Sequence, residues 1–299
     1  MPSALGRYAR RMNLDGLTPS DLRAALPSLL DGAVDAPPET RAALSAIAEA
    51  TLQATDDDAL AATLRAFGAA GGAWTTWPAD PFARRLSRAW LGGMTRGATI
   101  TGLRHLEPLD GRPTLFVGNH LSYVDTSVLD LLLAANGRAD LADNLLAVAG
   151  PKVYSAPFRR LAAIALNTLK TPQSTTLDGN DAALSLREVA ALALGALKEA
   201  EAWRGSRGPV VLYPEGTRSR DGQLGPFLPA AARYLRGAAW VVPVVVRGTD
   251  ALFGRDERFR PQPVQVAFGE AFDPGAVVGD AKTAALEEAR RRVLGVMAS

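Results

Sequence analysis

Apolar positions recur along this chain with two different periods, and the change between them divides it. Up to about residue 78 the spacing is helical. Leu22, Leu26, Leu29 and Leu30 share one face. Thr18-Pro19-Ser20-Asp21 marks the start, with an N-cap threonine, a proline at the first position and an acid at the third; Asp31-Gly32 marks the end. A second helix is predicted from about Glu39 to Ala54, with Leu44, Ile47, Ala48 and Leu52 turned inward. A third begins at Asp56-Asp57-Asp58, carries Leu60, Leu64 and Phe67 on its stripe, and stops near Gly68. The aspartate triplet reads as an acidic helix start, which the helix dipole favours, rather than as a metal site. Amphipathic helices need a partner surface, so residues 1–78 are expected to form a small helical N-terminal domain.

Trp74 to Pro78 reads as a linker. Residues 79–98 hold an amphipathic helix, Pro81 to Met94. Phe82, Leu86, Ala89, Trp90 and Met94 lie on one side, and Arg84, Arg85 and Arg88 lie mostly off it. Two readings stand for this helix: a basic face on an anionic membrane surface, or a helix docked on the next domain with its arginines in water. From Thr99 onward strands and helices alternate. Strands are expected at Thr99–Leu103, Thr114–Val117, Leu145–Ala149, Val210–Tyr213, Val241–Val246 and Val264–Phe268; the clean alternation of Gln262–Phe268 suggests an edge or half-exposed strand. Helices fit Val124–Ala135, Pro157–Ala165, Leu184–Trp203 and Ala284–Val296. The fold class is therefore α/β: a central mixed, largely parallel sheet flanked by helices over residues 99–299, preceded by the small helical domain.

Composition narrows the chemistry. The chain has 299 residues and is 47% hydrophobic, enough for one large domain and a smaller one. It has no cysteine, which excludes disulfides, thiolate catalysis and Cys-rich zinc sites, and is compatible with the cytoplasm. A formal net charge of +2 gives little support to nucleic-acid binding. No apolar run reaches the length of about 18 to 20 residues that a bilayer requires, and the first 30 residues lack a signal-peptide core. Membrane contact is thus expected to be peripheral, on the inner face of the cell membrane.

Only His105 and His120 are available as histidine bases. His120 follows a short buried strand, Leu115-Phe116-Val117, closed by Gly118 and Asn119. Ser122 is the expected N-cap of the next helix, with Asp125 in its first turn. The five-residue spacing lets Asp125 reach one imidazole nitrogen and leaves the other to take a proton from a hydroxyl. The alternative is that Asp125 only complements the helix dipole and His120 is a loop residue.

A second stretch, Tyr213-Pro214-Glu215-Gly216-Thr217-Arg218-Ser219, follows the strand Val210–Leu212. Together with Asn119-His120-Leu121-Ser122-Tyr123-Val124-Asp125 and the later Val242-Pro243-Val244, it resembles the glycerolipid acyltransferase family, the lysophosphatidate and glycerol-3-phosphate acyltransferases. The resemblance runs from about Thr99 to Phe272. It implies transfer of a fatty acyl group from acyl-CoA or acyl carrier protein to a glycerol hydroxyl. It implies no tightly bound cofactor and no metal, because a thioester is already activated. His120 would act as base and Asp125 as its orienter. With no cysteine and no G-x-S-x-G elbow, direct attack without an acyl-enzyme is expected. By the same resemblance Glu215, Gly216, Thr217 and Arg218 bind substrate. Arg218 would meet the acceptor phosphate, Glu215 would bind a hydroxyl or hold Arg218, and Gly216 would permit a tight loop.

Two departures bear on the acceptor. Thr168 stands near the place of an expected arginine; Lys170, two residues on, is the proposed substitute. Pro226-Phe227-Leu228-Pro229-Ala230 stands where lysophosphatidate enzymes usually carry P-F-K-K-G. Arg247 is a further compensating cation to consider. The leading expectation is a 1-acylglycerol-3-phosphate O-acyltransferase. Glycerol-3-phosphate and a phosphate-free acceptor are the alternatives within the class. A catalytically silent lipid-binding protein on the same fold is the alternative outside it, and the intact His120/Asp125 pair argues against that one.

Overall fold

A sheet of eight strands, in the order β1-β5-β4-β6-β3-β7-β8-β2, forms the centre of the molecule. The computed structural model describes residues 14, 16–109, 111–172, 184–278 and 283–299; residues 1–13 and Asp15 of the predicted N-terminal domain lie outside the described residues. The strands are β1 (Thr76–Trp77), β2 (Thr99–Thr101), β3 (Thr114–Gly118), β4 (Leu146–Ala149), β5 (Asn167–Lys170), β6 (Val210–Leu212), β7 (Trp240–Arg247) and β8 (Gln265–Phe268). The run β5-β4-β6-β3-β7 is parallel throughout, while β1 and β8 add antiparallel pairings. The sheet is mixed and largely parallel, as the alternating pattern predicts.

Helices cover both faces. On one side lie α1 (Pro19–Ala33), α2 (Pro38–Gln53), α3 (Asp57–Ala69), α4 (Pro81–Met94), α5 (Asp125–Ala135), α6 (Ala139–Asn144) and α7 (Pro157–Ile164). On the other lie α8 (Leu186–Ser206) and α10 (Ala284–Ala298); the short α9 (Thr249–Leu252), at the end of β7, packs Leu252 into the first layer. Strand β3 shows why two layers form. Phe116 faces the first layer, while Leu115 and Val117 face the second, as strand alternation requires. The starts of α1 and α3 follow from their caps. Thr18 and Asp21 close a reciprocal capping box, and Asp56 accepts from the Ala59 N–H. Leu22, Leu26, Leu44, Leu52 and Phe67 of these helices join the same apolar cluster as Phe116 and Val242.

Three expectations need correction. Inside the stretch read as a linker, Thr76 and Trp77 pair with Thr168 and Leu169 as edge strand β1. Gln265–Phe268 is not an edge strand. The short, exposed β2 pairs beyond it, so three of its four residues are buried. Of the two readings of α4, the docked one holds. Phe82, Leu86, Trp90, Leu91 and Met94 are buried, each contributing roughly 1.5–3 kcal/mol of apolar transfer. Arg85 is exposed, as that reading expects, but Arg88 is not in open water: it grips buried Asp130 through two bonds of 2.8 Å and reaches Asp143 at 2.7 Å.

Candidate active site

The functional loops meet because of strand order. In a parallel sheet the loops leaving the carboxyl ends of neighbouring strands share one edge, where α/β proteins bind ligands. Here β6, β3 and β7 are neighbours. They deliver Tyr213–Ser219, Asn119–Val124 and Gly248-Thr249 side by side.

His120 Nδ1 lies 2.8 Å from Asp125 Oδ2. Asp125 is fully buried. Its carboxylate also accepts from the backbone N–H groups of Leu121 (2.8 Å) and Ser122 (3.0 Å), and from the Thr249 hydroxyl at 2.5 Å. A carboxylate partner fixes Nδ1 as the protonated nitrogen and leaves Nε2 as the acceptor. The helix starts later than predicted, at Asp125. Ser122 does not cap it; its hydroxyl donates to the Phe253 carbonyl at 2.9 Å, and Asp125 takes the Ser122 N–H instead.

Around this pair the turn is pinned from several sides. Asn119 donates to and accepts from the backbone of Val246, at 2.9 Å each way, so its amide extends the β3–β7 ladder by one rung. The Tyr213 ring stacks on His120, with centroids 4.6 Å apart and planes at 13°. Its hydroxyl lies 3.0 Å from that of Thr126. Burial, and secondarily the charge of Asp125, pushes the Tyr213 phenol well above its ordinary pKa, so the ring stays neutral.

His120 stands in the wall of a cavity of about 570 Å³, within the usual size of a small-molecule site, roughly 300–1,000 Å³. Much of the lining is apolar and small, including Ala147, Ala149, Ala163, Leu166, Leu212 and Ala231. Thr217 and Arg218 also line it. The Arg218 guanidinium sits 4.1 Å from the centre of the Tyr123 ring.

Sequence reasoning missed three further cations in the lining: Lys152, Arg159 and Arg233. Arg159, on α7, donates to the Tyr123 hydroxyl at 3.1 Å and lies over the same ring as Arg218. It also pairs with Glu257 at 3.4 Å. The available signal was weak: Arg159 stands off the apolar stripe of α7, and Lys152 follows the turn after β4.

Glu215, Lys170 and Arg247 are placed otherwise than predicted. Glu215 is buried. One carboxylate oxygen accepts from the His120 N–H at 2.9 Å and the other from the Gly225 N–H at 2.8 Å. With Ser219 N–H donating to the His120 carbonyl at 2.7 Å, it ties the loop after β6 to the histidine turn. Both oxygens serve backbone groups, so Glu215 neither lines the cavity nor holds Arg218. Gly216 does make the tight turn, at φ +68°, where a Cβ would overlap Leu228. Lys170 is buried away from the lining. Its Nζ donates to the Gly71 carbonyl at 2.6 Å and sits 4.2 Å from the Trp74 ring centre. The turn Gly71–Trp74 before β1 and the Tyr154 ring supply this enclosure. Arg247 donates to the last carbonyls of α10, at Val296 and Met297. Among the described residues no cluster of His, Asp or Glu is placed to hold a metal ion.

Residues 98–247 match the family model described as acyltransferase, a span that begins at β2 and ends with β7. The crystal structure of the 1-acyl-sn-glycerophosphate (LPA) acyltransferase PlsC from Thermotoga maritima is similar to this chain at a TM-score of 0.46 and 20% identity, over 73% of this chain and 79% of that one. A search of curated proteins found no match.

Proposed function

The chain belongs to the acyltransferase family, and from that premise we propose that it moves a fatty acyl group from acyl-CoA or acyl carrier protein to a hydroxyl of a glycerol-phosphate lipid precursor, with 1-acylglycerol-3-phosphate as the leading acceptor. The observation that carries this is the His120–Asp125 contact of 2.8 Å in the wall of a cavity that also holds Arg218 and Arg159. His120 Nε2 takes the proton of the acceptor hydroxyl as its oxygen attacks the thioester carbonyl. Asp125 holds the tautomer and stabilises the imidazolium that forms. Collapse of the tetrahedral intermediate breaks the carbon–sulfur bond, and the departing thiolate receives the proton from His120. The apolar lining suits an acyl chain, and Arg159 and Arg218 suit the acceptor phosphate.

Leu228 favours a second reading. It lines the cavity, and with Pro229 it stands where the family pattern would put its two lysines. A phosphate-free acceptor would need no charge there. Parallel assays with lysophosphatidate, glycerol-3-phosphate and monoacylglycerol, each with acyl-CoA and acyl carrier protein donors, separate the acceptors. Lysophosphatidate is expected to show the highest kcat/KM. Equal turnover of monoacylglycerol removes the phosphate role of the arginines. His120→Ala is expected to cut kcat by roughly 10²–10⁴; a near wild-type rate removes the histidine mechanism.

A further inference from the structure

Between the exposed Arg187 and Glu188 of its first turn and Lys198, helix α8 is apolar all round. From Val189 to Leu197 it carries no charged or hydrogen-bonding side chain. A helix of that composition belongs in a core or at a lipid surface. The buried residues of α8 are Ala196, Ala200, Trp203 and Arg204, all in its second half. The first half supplies none. Leu186 is 76% exposed and Leu194 54%, and with exposed Ala190 between them they stand one turn apart along a single outer face. This end of the helix is held by its own chemistry. Ser185 and Glu188 close a capping box, and those bonds draw the Glu188 carboxyl below its usual range.

Two observations identify what covers that face. Ala193 and Leu197, in the same turns as Ala190 and Leu194, line the substrate cavity, so the bare face adjoins that lining. Lys152 and Arg233, exposed residues of that lining, place positive charge on the same cavity. An apolar helix face beside basic side chains is complementary to an anionic lipid surface. We propose that the first half of α8 rests on an anionic membrane and aligns the cavity with lipid substrates in it. The proposal builds on the reading of the cavity as a lipid site. It differs from the sequence expectation, which placed any membrane contact on α4, whose apolar side is buried in the protein.

Co-sedimentation of the full chain with vesicles of equal phosphatidylcholine and phosphatidylglycerol tests this. Wild type is expected to bind, and Leu186→Asp/Leu194→Asp to lose about tenfold or more in partitioning, with an unchanged melting temperature. Turnover of a short-chain acceptor in monomeric solution should be unchanged, since neither leucine lines the cavity. Three results overturn the proposal: wild type that ignores the vesicles, a variant that binds as well as wild type, or a variant that melts several degrees lower, which would mean the chain itself covers the face. A dimer in sedimentation velocity that the double substitution dissolves also overturns it, in favour of a second copy as the occupant. Leu194→Lys adds a second check. Stronger binding would mean that charge alone attracts the protein, against insertion of the apolar face. Absence of acyl transfer by wild type in monomeric solution, with vesicle binding intact, would instead count against the enzymatic reading.

Discussion

At the histidine corner of the cavity, one carboxylate receives two backbone N–H groups, a hydroxyl and an imidazole, and the turn around it is tied to Val246, Ser219 and Glu215. On the cation-lined side, Arg159 comes from α7, Lys152 and Arg233 from short 3-10 helices and Arg218 from a loop, and two of them share only an aromatic ring. The density of contacts at the corner suits the proposed proton transfer, which tolerates little error in distance or angle. The looser cation side suits the proposed phosphate acceptor, which several donors can meet at several angles. Substitutions at the corner should therefore appear in kcat, and those on the cation side in KM.

The strongest test of that contrast is Asp125→Asn. An amide would turn an NH₂ toward groups that already donate, so kcat is expected to fall by about 10²–10⁴, and stability by about 1–3 kcal/mol. Single-turnover rates and thermal melts measure the two; a rate within twofold of wild type would mean that the carboxylate does not orient His120.

Next in size is the pair Arg159→Ala and Arg218→Ala. Each should raise KM for a phosphorylated acceptor by roughly ten- to a hundredfold, the worth of a charged hydrogen bond, and leave a phosphate-free acceptor nearly unaffected. Equal losses on both acceptors would make the arginines supports for Tyr123 rather than phosphate ligands.

The smallest effect is expected at Thr249→Val, which keeps the shape and removes one bond to Asp125. It should lower kcat by several-fold to about tenfold and leave KM alone, with Thr249→Ser restoring the rate. No change with valine would leave the backbone N–H groups as the whole of the orienting shell.

Helices α4 and α8 show how far pattern alone reaches. In α4 the stripe and the arginines were legible, but not that Asp130 lies within reach of Arg88. In α8 the helix was legible over Leu184–Trp203, but not that its buried residues would begin only at Ala196. Periodicity reports which faces are apolar, not what each face meets.

Local order along the chain determined the alternation of strands and helices, the caps of α1 and α3, the pairing of His120 with Asp125 and the tight turn at Gly216. All of these depend on residues a few positions apart, where backbone geometry is the deciding constraint. Tertiary structure decided the rest. It set Thr249 against Asp125 and Arg159 beside Arg218, it turned Glu215 into a staple between loops, and it closed the Gly71–Trp74 turn over Lys170. Those contacts join positions far apart along the chain. They depend on which strands become neighbours, a choice made by the packing of the whole sheet rather than by any single stretch of sequence.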